Sequence, residues 1–581
     1  MQKQRLILLD ILKGLAILCV VFFHANLFTY GYLGVDVFLV IAGFLTTKSI
    51  VKQYDNGAFC YLSFLKSRVI RLLPLVIIVS VVSFGLGYYT MLPTNYKNVA
   101  ETALGSIFFL NNFIQYVTAG DYWDASNEYK PLMHTWYISL VFQFYIVFPL
   151  LFMFAHKVSK NWKRLVFYML LVIGSGSLIL YMLPIFTIAF HFYLLPSRLF
   201  EFIAGGLLFL LSSIEINKQK WQICCCLFLI ILLMVFNANI GAEQYRLLLI
   251  VSITCLILWN SIVKEQSEIL PNFKILSLLG MASYSIYLWH QVIIAFYRNI
   301  FNDDLKVWEY IFVICISLIV GLISFYFIEQ PISQCCKRNK NVIYILITCV
   351  VIMLPLNYFS FKVYKHEGVV KDMPELDTYI NQPATWASLL YNDTVQRCDV
   401  NFPNNGRKNV LVVGDSYGRD WYNILKESNY ADSINLSYHR NLDNVLDRRI
   451  KIADYIFLAN HGDFNIYDAY IPRMAKKILY RVGDKRYFSS PCLIYNKRFN
   501  GDTYYEQKEN ITNDIANRNI KEQEIFGDRF VNMMDVVKDD FGQYRIFTPD
   551  HKLISHDGLH LSKAGARYYA KRLNISKLFN K

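Results

Sequence analysis

Residues 6–27 read LILLDILKGLAILCVVFFHANL, an apolar run interrupted by Asp10, Lys13 and His24. About 20 apolar residues suffice to cross a hydrocarbon core of about 30 Å at 1.5 Å per residue. Ionisable groups inside such a run are costly, so three of them in one span call for a protein-lined interior rather than lipid. The run lacks a small-residue cleavage site and a second apolar segment follows at Tyr32, so it is expected to persist as a first span rather than be removed as a signal peptide.

The rest of the chain extends this reading. Of 581 residues, 55% are hydrophobic, 16% aromatic and 18% charged, and the mean hydropathy is +0.31, outside the usual balance of a soluble globular protein. Apolar runs fill the chain from residue 7 to about residue 360, and soluble-type composition follows, so two parts are expected. Spans are expected to begin near Ile7, Tyr32, Ile70, His134, Arg164, Pro196, Trp221, Gln244, Ile275, Val307 and Asn341, about eleven in all. With a cytoplasmic N-terminus, the basic loops Lys48–Lys66, Lys157–Arg164, Lys218–Lys220 and Lys337–Lys340 all fall on the cytoplasmic side, and the C-terminal part falls outside. These loops also account for much of the net charge of +14 without forming one basic face, so membrane lipid and no nucleic acid is expected as a partner. The stretch Ala103–Val117, carrying Asn111, Asn112 and Gln115, reads as an interfacial or re-entrant helix.

Asp10, Lys13, His24, Asp36, Arg198 and Glu201 are the polar groups that need a reason inside spans. The sequence Asp10-Ile-Leu-Lys13-Gly14, then His24, then Gly34-Val-Asp36 through Gly43-Phe44-Leu45, resembles the opening of the acyltransferase-3 family of membrane acyltransferases. The resemblance continues in family order over residues 5–331: Arg68-Val-Ile-Arg71-Leu-Leu-Pro74, His134-Thr-Trp136 with Gln143-Phe-Tyr145, Arg198-Leu-Phe-Glu201 with Gly205, Ser283 to His290 after Gly280, and Ser324 to Pro331. It implies that Lys13, Arg68 and Arg71 bind the phosphates of an acyl-CoA donor, and the physics agrees, because Arg grips phosphate bidentately and positions i and i+3 of a helix share a face. It also implies a catalytic His24, whose imidazole can accept a proton or the acyl group, and cavity-lining roles for Asp36, His134, Arg198 and Glu201. Eleven residues of helix place His24 about 16 Å from Lys13, toward the opposite membrane face. Lys13 stands where Arg is usual, Ala42 where Ser is usual and Val141 where Glu is usual, leaving Glu201 and Asp36 as the acids able to substitute for the last.

Residues 336–404 read as a final span and a polar connector with Pro374 and Pro383. Asn409-Val-Leu-Val-Val413 then reads as a buried parallel strand running into Gly414-Asp415-Ser416 and a helix, a turn that presents serine at a helix N-terminus where backbone N–H groups can stabilise an oxyanion. Near the C-terminus, Asp557-Gly-Leu-His560 supplies a carboxylate and an imidazole three residues apart. The pair of motifs resembles the SGNH hydrolase family, implying an α/β/α fold over residues 405–581 with Ser416, Asp557 and His560 catalytic. Asn460, after the strand Ile456–Ala459, is the candidate oxyanion donor, although a plain turn residue explains it equally. Cys398 and Cys492, both in the external part, are a possible disulfide. Cys224-Cys225-Cys226 lies in a span without His or carboxylate partners at metal spacing and reads as packing, so no metal is expected.

The fold class expected is therefore a polytopic helical domain over residues 1–335, the span and connector, and an extracytoplasmic SGNH-like domain, in a bacterial inner (cytoplasmic) membrane. The function expected is O-acylation: acetyl passes from cytoplasmic acetyl-CoA, a substrate rather than a bound cofactor, to a hydroxyl of an envelope glycan or lipid-linked oligosaccharide, with lipopolysaccharide or lipooligosaccharide O-antigen favoured as acceptor. Peptidoglycan O-acetylation and glycan ester hydrolysis are the alternatives within enzymes. A glycan transporter or export scaffold is the alternative outside them, and the sequence lacks the internal repeats usual there.

Overall fold

A computed structural model describes residues 7–118, 125–211, 243–263, 273–301, 305–338, 342–366, 368–369, 388–462, 464–488, 491–510 and 512–579. The chain divides into two compact units, Met1–Tyr89 with Thr94–Lys365, and Thr90–Pro93 with His366–Lys581.

The first unit is helical. Among the described residues, eight helices are long and apolar enough to cross a membrane: Ile7–His24, Gly31–Asp55, Tyr61–Thr90, Met133–Val158, Trp162–Met182, Ile188–Leu211, Val307–Cys335 and Val342–Lys365. A ninth is reached if Lys274–Met281 and Ser283–Ile300, bent by 76° at Ala282, count as one. The helix Glu243–Val263 occupies the span expected at Gln244, with a shorter apolar portion, Tyr245–Trp259. The span expected at Trp221, the cysteine triplet, the loop Lys218–Lys220 and the connector prolines lie outside the described residues. Ala103–Val117 is no single span: Pro93–Ile107 and Asn111–Thr118 are separate helices, and the Asn111 amide donates to Leu132 O (3.0 Å) and Thr135 Oγ1 (2.7 Å). Those polar groups are satisfied by protein, as irregular backbone at membrane depth requires.

Glycines set how closely the helices approach. A Cβ on Gly280 would lie 1.7 Å from Asp10 O and one on Gly14 would lie 2.0 Å from Leu276 O, so the first helix crosses Lys274–Met281 backbone to backbone. The second crossing has the same design: a Cβ on Gly43 would meet Phe202 O at 1.8 Å and one on Gly205 would meet Val40 O at 2.0 Å. Small residues at helix crossings are how membrane helices gain packing contact when no hydrophobic effect draws them together.

The second unit carries a five-stranded parallel sheet of order β2-β1-β3-β4-β6, with β1 Lys408–Val413, β2 Ile434–His439, β3 Tyr455–Leu458, β4 Ile478–Val482 and β6 Phe530–Val531. A small antiparallel pair joins β5 Lys508–Glu509 to β7 Tyr544–Arg545. Strand β1 is buried on both sides. Val410 and Val412 enter one core with Trp421 and Phe457, while Leu411 and Val413 enter another with Leu446 and Leu458, the pattern of a parallel sheet covered on both faces. The chain leaves β1 for β2 on one side and returns for β3 on the other, so the C-terminal end of β1 is a topological switch point, where open α/β sheets place their ligands.

Replacing Gly280 with Val is expected to separate the crossing at Asp10 and destabilise the helical unit by at least about 1–3 kcal/mol. Gly176→Ala, where nothing lies within 4 Å of the added Cβ, should leave it intact. Tm and membrane yield of the two variants check this, and a Gly280→Val protein as stable as the parent would refute the close-packed crossing.

Candidate functional site

Lys13, Arg68 and Arg71 come together. They line one cavity of about 500 Å³ inside the helical unit, with Asp10, Tyr137, Val141, Tyr145, Tyr284, Tyr287, Glu329 and Ser333 among the other walls. The Arg68 guanidinium lies 4.8 Å from the Phe64 ring centroid and 4.9 Å from that of Tyr145, an aromatic clamp for its plane. One π turn, Phe325–Glu329, interrupts the helix Val307–Cys335, and there Glu329 accepts a 2.6 Å hydrogen bond from Ser285. Such turns recur at functional sites because they re-aim one side chain without ending the helix.

Asp36, Arg198 and Glu201 also meet, but they form a buried knot and do not line that cavity. Arg198 Nη1 is 2.7 Å from Asp36 Oδ1 and 3.0 Å from Glu201 Oε1, with all three side chains at most 4% exposed. The knot ties Gly34–Asp55 to Leu195–Leu211 beside the Gly43–Gly205 crossing. Among the described residues, the acids lining the cavity are Asp10 and Glu329, and neither Asp36 nor Glu201 belongs to its walls.

His24 and His134 are joined by a third imidazole. The His290 ring lies 5.1 Å from that of His24 and 5.3 Å from that of His134. Backbone carbonyls fix two of the rings, His134 Nε2 at 3.2 Å from Leu288 O and His290 Nδ1 at 2.6 Å from Tyr287 O. Tyr287 belongs to the cavity wall, and its ring centroid lies 5.4 Å from that of His290, so it links cavity and cluster. Sequence reasoning quoted His290 within a motif without giving it a role; the spacing Tyr287-x-x-His290, one helical turn, is the signal that places both on one face.

In the second unit, the turn after β1 depends on Gly414, at φ +151°, where a Cβ would stand 1.7 Å from Ala459 O. Asp415 caps the next helix, Ser416–Lys426, accepting the Tyr417 N–H at 2.9 Å, and its other oxygen accepts the His461 N–H at 2.9 Å. Ser416 is thereby the first residue of a helix at the switch point. Asp557 accepts from the N–H groups of Leu559 and His560 at 2.9 and 2.8 Å and contacts His560 Nδ1 at 2.7 Å. Gly558, at φ +84°, where a Cβ would stand 2.3 Å from Phe488 O, makes that tight loop possible.

Burial pushes the Asp557 carboxyl up, yet the hydrogen bond and charge of His560 and the two backbone donors outweigh it and hold it at about 2. Burial likewise opposes the imidazolium of His560, and the bond and charge of Asp557 prevail, so its pKa is raised. The facing of Nδ1 onto Asp557 leaves Nε2 as the nitrogen able to accept a proton.

A buried ion pair holds the serine and histidine segments together. Lys485 Nζ is 2.7 Å from Asp420 Oδ2 and donates also to Leu559 O, while the Leu561 N–H donates to the same Asp420 oxygen at 3.1 Å. Residues on both sides of His560 are thus fixed to the helix that begins with Ser416. Asn392 completes the clamp, donating to Ser416 O and Asp420 Oδ1 at 2.6 and 2.7 Å.

Asn460 is buried and engaged within its own loop. Its amide donates to His461 O at 3.1 Å, and its Oδ1 accepts from Arg481 at 2.8 Å, itself paired with Glu522. Cys398 is a free thiol bonded to Tyr422, so the disulfide expected with Cys492 is not formed.

The base form of His560 is required for proton abstraction, so hydrolysis of 4-nitrophenyl acetate by the full-length protein should rise with pH through a midpoint above 6.5, the ordinary imidazole value. Asp557→Asn should lower the rate by about 10³–10⁴-fold and move the midpoint down. An unmoved midpoint would show that Asp557 does not control this base.

Residues 6–328 match the family described as "Acyltransferase domain". The peptidoglycan O-acetyltransferase OatA of Listeria monocytogenes serovar 1/2a is 29% identical over 351 residues, covering 56% of this chain and 55% of that protein. A Staphylococcus aureus (strain COL) protein bearing an O-acetyltransferase name is 28% identical over 349 residues, covering 56% of this chain and 57% of its own. The chain therefore spans little more than half the length of these relatives. No solved structure matches it at a significant level. The family match takes in the first crossing, the arginine pair, the three imidazoles and most of the Glu329 turn, and it covers more than half of the sequence: the chain belongs to the acyltransferase-3 family.

Proposed function

We propose that this protein is a membrane O-acyltransferase that carries an acetyl group from cytoplasmic acetyl-CoA to a hydroxyl of an envelope glycan, with Ser416 as the outer nucleophile. The observation that carries the reading is the presence, in one chain, of a cavity with three cations suited to the phosphates of a thioester donor and of Ser416 at the start of a helix whose Asp420 accepts the N–H of Leu561, next to the Asp557-paired His560. The SGNH-like assignment of the second unit rests on the same geometry, Ser416 at the end of the first strand and Asp557 and His560 ahead of the helix Lys563–Arg572. Relatives named for peptidoglycan O-acetylation favour peptidoglycan over lipopolysaccharide as the acceptor.

The steps balance without a further reactant. In the helical unit an imidazole nitrogen of His24 attacks the acetyl carbonyl, the C–S bond breaks, and the imidazole N–H proton leaves with the CoA thiol. At the outer site Ser416 Oγ attacks the delivered acyl carbonyl and passes its proton to His560 Nε2, which returns it to the departing group. The acceptor hydroxyl then gives its proton to His560, attacks the acyl-serine and leaves with the ester, restoring Ser416. Water in place of the sugar would make the same site an esterase.

Ser416→Ala is expected to abolish glycan acetylation in cells while the protein stays inserted. Arg68→Ala with Arg71→Ala should weaken acetyl-CoA binding, each lost charge-assisted contact costing about 1.5–3 kcal/mol. Mass spectrometry of the glycans and CoA titration of purified protein check both. Full acetylation in Ser416→Ala would remove the second unit from the chemistry, and unchanged CoA affinity would remove the cavity as donor site.

A further inference from the structure

The end of β3 brings a second imidazole to Ser416. The His461 N–H binds Asp415, the residue before the serine, at 2.9 Å, and the His461 ring packs 5.2 Å from that of Tyr417, the residue after it. Its side chain is 58% exposed. Behind it, His461 Nδ1 lies 3.3 Å from Oδ1 of Asp484, which is fully buried. Asp484 is itself fixed: the Lys485 N–H donates to Oδ1 at 2.9 Å, Arg518 Nη1 lies 3.0 Å from Oδ2, and Asn519 exchanges two hydrogen bonds with its backbone. Burial pushes this carboxyl up, but the His461 hydrogen bond, Arg518 and the Lys485 N–H hold it below the usual carboxylate range.

A turn residue needs no buried carboxylate to aim it. In the neutral ring with Nδ1–H directed at Asp484, the exposed Nε2 is an acceptor, able to receive a hydrogen bond from a hydroxyl. His560, paired with Asp557, already supplies the base, so a second exposed acceptor nitrogen, on a residue that touches both neighbours of Ser416, suits a polyhydroxy acceptor.

We propose that His461, oriented by Asp484, is an acceptor-binding residue: its Nε2 receives a hydrogen bond from a hydroxyl of the sugar and positions the acceptor against acyl-Ser416. The inference rests on the Ser416 reading above and adds what selects sugar over water. His461→Ala and His461→Gln in the full-length protein test it by two readouts, 4-nitrophenyl acetate hydrolysis by purified protein and glycan acetylation in cells at matched protein level. Hydrolysis should stay within about twofold of the parent in both. Glycan acetylation should fall about tenfold in His461→Ala, the effect of losing one such bond, and recover in part in His461→Gln, whose amide oxygen still accepts. Unaltered acetylation, or hydrolysis and acetylation falling together in both variants, would overturn the proposal. Ser416→Ala, run alongside, separates the two ideas: it should lose both activities, and if it keeps acetylation the Ser416 reading itself fails.

Discussion

A charge removed from water must find its counter-charge within hydrogen-bond reach, and both units are organised around that requirement. In the helical unit Arg198 sits between Asp36 and Glu201, and breaking such a buried set costs about 3–5 kcal/mol because it strands a charge. In the second unit Lys485 and Asp420, each at most 1% exposed, do the same between the helix of Ser416 and the loop of His560. The two pairings differ in what they serve. The first locks two helices whose glycines already touch backbone to backbone. The second fixes where a histidine stands relative to a serine, so its geometry is transmitted directly to the site.

The parts that could be read from the sequence are those whose chemistry is local. Gly-Asp-Ser after a run of four β-prone apolar residues announces a strand, a turn and a capped helix, and Asp557 reaches His560 because their spacing permits it. The arginine pair lay one helical turn apart, so a common direction followed, and the cavity confirms that they share a wall with Lys13. Asp420 and Lys485 were illegible because 65 residues separate them and each alone resembles a surface charge. His461 and Asp484 were hidden for the same reason, across 23 residues and two strand ends.

Two of the residues singled out meet competing partners. Asn460 occupies the sequence position of an oxyanion donor, and its amide is engaged by the carbonyl of His461 and by Arg481. Cys398 is a free thiol hydrogen-bonded with Tyr422. Position along the chain or in a compartment constrains which partners are available, whereas competition among nearby polar groups decides which are taken.

Charge balance inside the donor cavity gives meaning to Val141. Three cations, Lys13, Arg68 and Arg71, face two carboxyl groups, Asp10 and Glu329, and Lys13 lies 3.9 Å from Asp10. A glutamate at position 141, on the same wall, would match the cations one for one. Valine leaves positive charge in excess with every acid counted as ionised, and any protonated carboxyl enlarges the excess. An anion entering this cavity would supply part of the counter-charge that its walls lack. With valine at position 141, the excess positive charge stands beside Glu329, held by Ser285 on the π turn, and beside Tyr287, whose ring packs against the imidazole cluster.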